Sequence, residues 1–282
     1  MAISAQDVKK LREKTGAGPM ECKKALEEND GDFAKAEKLL KEKGLAAVEK
    51  RAGRATNEGK IVITIKNQAA ALVELASETD FVARNPEFIA LGSELAELAL
   101  DKGFDGPNEE LAAKVTDLAT KIRENLSLKR LRVVKAQGNE YLARYIHGDG
   151  AIGVLVKLAS NQEGTFEKEE AKAFAFSLAL HVAAFNPLAL DRSKVEASFL
   201  QEQEGIFRKQ MEGDESLAGK PPAVLENILR GKVNKYLKDI CFVDQNYVKD
   251  EKLTVAQALA ETGKQLGVQL SITDFVYFRV GE

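Results

Sequence analysis

The sequence predicts an α+β protein, and three observations lead to that prediction. The first 44 residues contain three short helical patterns bounded by helix-start and helix-stop residues. A hairpin followed by a helix occurs twice, with the returning strands LVELAS (72–77) and LVKLAS (155–160) differing only at their third position. Between Asp191 and Asp239, glycines and prolines separate two apolar helical stripes. We therefore expect an N-terminal helical module, duplicated core subdomains and an inserted helical hairpin.

The N-terminal module is predicted to occupy residues 1–44. Ser4 can cap a first helix, and Gly16 can end it. Pro19 suits the first turn of a second helix, where its missing N–H costs no hydrogen bond. We expect the third helix to stop at Gly44. A bundle of this size has little room for a catalytic cleft, so we predict a binding module.

The segment 45–59 is rich in alanine and charge, with Lys50, Arg51 and Arg54 close together. We expect a solvated linker that can be partly helical. A phosphate-binding patch is the alternative.

Each core subdomain is predicted to contain a small antiparallel sheet with helices. In the first, residues 60–139, alternating isoleucines lead to a turn at Asn67-Gln68. In the second, residues 140–282, the hairpin turn is Gly148-Asp149-Gly150. Two further segments are expected to supply the third strands, Leu131–Ala136 and Phe275–Val280.

The second subdomain carries the helical hairpin as an insertion at about 191–239. Such an arm could pair within the chain, bind a second copy of it or contact another protein. Periodicity alone does not choose among these alternatives.

The segment Thr79–Arg84 places a large aromatic, Phe81, between an apolar strand and the helical pattern that opens near Pro86. Connections usually run over the surface, where an exposed phenylalanine loses the benefit of burial. Phe81 therefore either folds back into the core or is held out for a partner. The first alternative is the more common behaviour of isolated aromatic residues.

Composition argues against several classes of function. The 41 basic and 44 acidic residues leave a net charge of -3, which disfavours direct nucleic-acid binding. Cys22 and Cys241 lie far apart, so we expect reduced thiols and no zinc site. No signal-peptide or membrane-spanning pattern occurs, and we expect a soluble cytoplasmic protein.

The familiar catalytic motifs are also missing from the sequence. We find no phosphate-binding loop, nucleophile elbow or paired acid and base, and we expect no cofactor or metal. His181 lies on an apolar helix and is predicted to be a core or groove residue. A protein that acts by binding explains these features better than a small enzyme using Asp80 or His147.

Five sequence blocks together resemble one known family: VKKLREKTGAGPMECKKALEENDGD, TDFVAR, IHGDGAIGVLV, HVAAFNP and FVYFRVGE. They closely resemble bacterial translation elongation factor Ts, at matching spacing from about Val8 to Glu282. The resemblance implies a guanine-nucleotide exchange factor for elongation factor Tu. It also implies a ubiquitin-associated-like N-terminal module and a coiled-coil arm. An assembly module that binds a GTPase without promoting exchange is the alternative.

The resemblance assigns expected roles to individual residues. Thr79, Asp80, Phe81 and Val82 match the element that dislocates the partner's Mg²⁺, with Phe81 inserted between two helices of its GTPase domain. The remaining expected partner-binding residues are Lys9, Arg12 and Met20 in the N-terminal module and His147 at the second hairpin turn.

The chain departs from the family pattern in three places. Pro19 stands where members often carry Met, which could weaken one docking contact while favouring the helix start. Arg123 stands where Gly is common, so we expect the contacts near Glu124–Leu126 to differ. We also expect no additional C-terminal helix of the kind that longer members carry.

Overall fold

A computed structural model describes residues 3–282 and divides the chain into two compact units. The first unit contains the chain up to Lys135 together with Ile146–Gly153 and Phe278–Glu282. The second contains Ala136–Tyr145 and Val154–Tyr277. Antiparallel sheets and α-helices occur along the chain, as the sequence predicts for an α+β fold.

The first unit begins with three helices, α1 (Ala5–Thr15), α2 (Pro19–Glu28) and α3 (Phe33–Arg51). The Ser4 side chain accepts the Asp7 N–H at the start of α1, and Gly16 ends this helix at φ 68°. A left-handed backbone is the geometry that glycine adopts without steric cost. The helices bury a shared apolar cluster: Leu11, Cys22, Ala25, Leu26, Ala36 and Leu40.

The remaining elements of the first unit form a sheet with helices. They are β1 (Glu58–Lys66), β2 (Ala69–Ser77), α4 (Asp80–Ala83), α5 (Pro86–Lys102), α6 (Glu109–Ile122) and β3 (Leu126–Lys135). The strand order is β1-β2-β3, antiparallel throughout. Asn67 and Gln68 both have positive φ, 49° and 59°, as a tight two-residue hairpin turn requires. The third strand starts at Leu126, five positions before the predicted Leu131.

Helix α3 corrects one prediction, because it continues through Gly44 to Arg51. A side chain at Gly44 would bring its Cβ within 2.3 Å of Thr120 Cγ2 on α6. Gly44 therefore permits a close approach of α3 to α6 and does not stop the helix. Residues 45–51 of the segment 45–59 are consequently helical.

The second unit contains most of a three-stranded sheet and the helical hairpin. The elements that lie wholly or partly in this unit are β4 (Glu140–His147), β5 (Ile152–Ser160), α7 (Glu169–Phe185), α8 (Ala197–Glu212), α9 (Pro222–Ile240), β6 (Asn246–Tyr247), β7 (Asp250–Thr254), α10 (Val255–Leu266) and β8 (Leu270–Arg279). The strand order of this sheet is β4-β5-β8. Strand β8 begins five residues before the predicted Phe275.

The repeated motif occupies equivalent places in the two sheets. LVELAS lies in β2 and LVKLAS in β5, and each of these strands is central in its sheet. A central strand covered by helices is buried along most of its length, which accounts for the nearly continuous apolar runs. Each is followed by a long helix, α5 or α7.

The insertion folds as two helices, α8 and α9, that share an apolar cluster. Met211, Leu229, Val233 and Leu237 are buried in it, and Phe199 and Phe207 pack at its edge. Phe199 and Phe207 both contact the Tyr236 ring, at centroid distances of 6.3 and 5.7 Å. The apolar stripes of α8 and α9 therefore pack against each other.

His181 is a core residue, as the sequence predicts. It is 0% exposed, its Nδ1 accepts the Val248 N–H, and its Nε2 pairs with Gln245 Oε1 at 2.9 Å. Because Nδ1 accepts, Nε2 carries the ring proton. Burial lowers the pKa of His181, partly offset by the Gln245 hydrogen bond. Cys22 and Cys241 are also buried, which raises the pKa of both thiols.

Within residues 3–282, the helices are all too short or too polar to span a lipid bilayer. Nor does this range contain a group of three or more His, Cys, Asp or Glu side chains arranged to hold a metal ion.

Candidate functional site

The Phe81 segment forms a single helical turn, α4, that points its aromatic side chain into solvent. The Thr79 hydroxyl caps this turn by accepting the Val82 N–H at 3.4 Å. Val82 and Ala83 are buried in the core beneath the turn, whereas Phe81 is 82% exposed. The alternative in which Phe81 packs into its own subdomain is therefore wrong.

This exposure has an energetic cost that the fold does not recover. Burying a phenylalanine side chain contributes about 1.5–3 kcal/mol relative to leaving it in water. Because Val82 and Ala83 beside it are well packed, the turn is anchored without help from Phe81. The ring thus remains available for burial against another molecule.

Charged side chains flank the exposed ring. Asp80 and Arg84 form an ion pair on α4, with 3.2 Å between Oδ2 and Nη2. Both side chains are substantially exposed, so the pair contributes little to stability. The Phe81 ring therefore lies on a polar, solvated turn.

The second hairpin turn contains His147 and the Gly148-Asp149-Gly150 sequence. His147 is exposed, and Asp149 adopts φ 56°. The largely buried Lys60 side chain on β1 reaches Asp149, with 2.8 Å between Nζ and Oδ2. Gly150 lies directly on the Lys60 stem, since an added Cβ would meet its carbons at 3.3 Å.

The Phe81 turn and the His147 turn are neighbours in the first unit, because both contact β1. The electrostatics agree, since Lys60 and, more weakly, Arg84 lower the pKa of Asp149. The structure thus brings together two elements that lie more than sixty residues apart in sequence.

The three candidate residues of the helical module are exposed on α1 and α2. Lys9 and Arg12 lie on α1, where Lys9 pairs loosely with Glu13 at 3.9 Å. Met20, beside Pro19 in the first turn of α2, is 75% exposed. An unbranched, polarisable side chain so exposed is suited to binding an apolar surface of variable shape.

Arg123 occupies a left-handed position, φ 67°, at the end of α6. This backbone geometry explains why glycine suits the position. The Arg123 guanidinium also forms an ion pair with Glu21 on α2. The Gly18 N–H and Arg123 both lower the pKa of Glu21.

Sequence reasoning did not find Lys60 or the role of Glu124. Lys60 precedes the alternating isoleucines and carries no motif that marks it as buried. Glu124 accepts two hydrogen bonds from Thr79, its partner 45 positions away. Neither contact has a local sequence signal, because each depends on how distant segments meet.

An anchored turn that exposes an aromatic ring, next to a second polar turn, is a surface for contacting another protein. The site therefore indicates a protein that acts by binding another protein.

Comparison with known proteins agrees with this class. The sequence model of the family described as elongation factor TS matches residues 78–282. Elongation factor Ts of Treponema denticola is 50% identical over 100% of this chain and 99% of its own length. The Treponema pallidum protein is 43% identical with the same coverage, and the Borreliella burgdorferi protein is 41% identical over 99% of both chains.

The chain therefore belongs to the elongation factor Ts family. Its role is that of a guanine-nucleotide exchange factor for elongation factor Tu in translation elongation.

Proposed function

We propose that the chain releases GDP from elongation factor Tu by inserting Phe81 between two helices of the partner's GTPase domain. The observation that supports this mechanism is the 82% exposure of Phe81 on an anchored turn. Thr79, Asp80 and Val82 shape the turn that presents the ring. Insertion displaces the partner elements that support its Mg²⁺.

The magnesium ion is the vulnerable point of the partner's nucleotide site. A GTPase holds its nucleotide through backbone donors, a lysine and a Mg²⁺ ion that bridges phosphate oxygens. Mg²⁺ requires near-ideal octahedral geometry, so a small displacement of its ligands or waters weakens nucleotide binding. Burial of Phe81 contributes about 1.5–3 kcal/mol toward that displacement.

Thermodynamic linkage makes the exchange cycle reversible. If the factor weakens nucleotide binding by some ratio, nucleotide weakens factor binding by the same ratio. Incoming GTP therefore expels the factor. The chain itself acts by binding and needs no covalent chemistry or cofactor.

Other contacts complete the interface in this proposal. The three-helix segment, residues 1–44, serves as a ubiquitin-associated-like module that docks through Lys9, Arg12 and Met20. His147 contacts the partner's third domain. The α8–α9 hairpin, within residues 191–239, is a coiled-coil interaction arm. The protein acts in the cytoplasm without binding nucleic acid or membrane.

The test is the rate of GDP release from elongation factor Tu, followed by stopped-flow with a fluorescent GDP. The chain should accelerate release strongly at millimolar Mg²⁺. Acceleration should shrink when a chelator has already removed Mg²⁺, since the factor's target is then absent. A chain that binds elongation factor Tu without changing the release rate would be an assembly module, and the exchange proposal would fail.

A further inference from the structure

Three consecutive residues between α6 and β3 each contact a different segment of the first unit. Arg123 forms an ion pair with Glu21 on α2. Glu124 accepts two hydrogen bonds from Thr79. The Asn125 amide donates to two carbonyls just after α3, those of Ala52 at 3.2 Å and Arg54 at 2.7 Å. The segment thus joins the helical module to the Phe81 turn.

The contact between Glu124 and Thr79 uses both carboxylate oxygens. Oε2 accepts the Thr79 backbone N–H at 3.1 Å, and Oε1 accepts the Thr79 hydroxyl at 2.7 Å. The Thr79 hydroxyl oxygen in turn accepts the Val82 N–H. Ser77 donates its hydroxyl to the Thr79 carbonyl at 2.9 Å. Every polar group of Thr79 is therefore occupied, and Glu124 sets the direction of the hydroxyl proton.

Helix α4 has only four residues and cannot be stable on its own, because helix nucleation is unfavourable. Its orientation depends on the cap at Thr79 and on Val82 and Ala83 below. A hydroxyl that donates to a carboxylate is fixed in one rotamer, which leaves its lone pairs aimed at the helix N–H groups. Glu124 thereby fixes the Thr79 hydroxyl before Phe81 binds the partner. The entropy of ordering the turn is then not lost during binding.

We propose that Glu124 is a positioning residue for nucleotide exchange, which holds the Phe81 turn in the conformation that inserts into the partner. The inference rests on the proposed function of Phe81. Glu124 acts through Thr79, and it raises the rate of GDP release within the complex without contributing to the initial binding of the partner.

The primary variant is Glu124→Gln, which keeps the size of the side chain. A glutamine oxygen can accept the Thr79 N–H, but its NH₂ group then faces the hydroxyl. The hydroxyl oxygen then accepts from that group as well as from the Val82 N–H, and the hydroxyl proton loses the carboxylate that fixed its rotamer. The preferred orientation of the turn is weakened while the fold is retained.

Asp105→Asn is a matched control. Asp105 also joins distant segments, accepting the Val133 N–H at 2.8 Å and an Arg132 guanidinium N–H at 3.1 Å. Asp105 follows the C-terminal end of α5 at Lys102, whereas the Phe81 turn precedes the N-terminal end of this helix. Its substitution removes a comparable carboxylate contact that does not involve Thr79.

Stopped-flow GDP release is measured over a range of factor concentrations. Glu124→Gln should lower the maximal release rate about 3- to 10-fold, or about 0.6–1.4 kcal/mol, and leave the half-saturating concentration within about twofold. Asp105→Asn should leave both unchanged. Thr79→Val, which lacks the hydroxyl, should reproduce the loss and replaces Glu124→Gln if that variant does not fold.

A double-variant cycle separates positioning from general destabilisation. In the Phe81→Ala background, Glu124→Gln should cause no further slowing, because there is no ring left to position. Additional slowing in the Phe81→Ala background would overturn the role of Glu124. So would a maximal release rate for Glu124→Gln equal to that of Asp105→Asn when Phe81 is intact. If Phe81→Ala alone leaves the release rate unchanged, the proposed function of Phe81 is the part that fails.

Discussion

Truncation of Phe81 to alanine removes the side chain on which the proposed exchange mechanism depends. Because the ring is 82% exposed, its loss should change the free energy of unfolding by less than about 0.5 kcal/mol. Insertion into the partner would bury nearly all of that ring, which is worth about 1.5–3 kcal/mol. If most of this energy is used to displace the Mg²⁺ site, GDP release should slow by roughly 10- to 100-fold.

Stopped-flow release of a fluorescent GDP at saturating factor measures this effect. Phe176→Ala is the matched control, since Phe176 is also an exposed phenylalanine, at 47%, on a different helix. Phe81→Leu should fall between the unmodified chain and Phe81→Ala, because leucine keeps part of the apolar surface. An unchanged release rate with Phe81→Ala would refute the insertion mechanism. A large loss of folding stability would show that the ring supports its own fold.

Three further predictions concern packing, backbone conformation and pH. Gly44→Ala should destabilise the contact of α3 with α6 by about 1–3 kcal/mol, because its Cβ would lie 2.3 Å from Thr120 Cγ2. Thr120→Ser should restore much of the lost melting temperature, and no drop in the single variant would contradict the packing. Arg123→Gly should leave the melting temperature unchanged or raise it. Glycine relieves the strain of a left-handed backbone, which is worth about 1–2 kcal/mol, whereas the lost ion pair is exposed and contributes only about 0–1 kcal/mol. Hydrogen exchange should nevertheless quicken in α2, where Glu21 loses its partner, and a marked fall in melting temperature would count against this balance. His181 should make the chain less stable as pH falls below about 6.5, because the unfolded chain then binds a proton that the folded chain, with its lowered pKa, does not. Urea unfolding from pH 7.5 to 5 should show a weaker pH dependence for His181→Asn, and identical slopes would exclude this contribution.

The local patterns were reliable where a single segment decides its own structure. The cap at Ser4 and the turn at Asn67-Gln68 depend on groups within a few residues, and the structure has them as predicted. The prediction that the third helix stops at Gly44 was wrong, because a glycine that ends a helix and one that permits close packing look alike in sequence. Only the approach of Thr120 distinguishes them.

Helices α6 and α10 were not predicted from the sequence. Helix α6 begins after an Asn108 cap, and α10 begins with a capping box formed by Thr254 and Gln257. Both therefore carried local start signals that could have been found. The contacts of α6 with α3, by contrast, have no local signal.

For the candidate site, the sequence by itself determined which residues connect β2 to α5 and which family the chain resembles, because motif order and spacing are properties of the chain. Tertiary structure decided that Phe81 faces solvent, since an aromatic residue after a strand can equally pack inward. It also decided that Lys60 supports the His147 turn and that Glu124 holds Thr79. These contacts join segments tens of residues apart, and their energy exists only once the sheet and helices have brought those segments together.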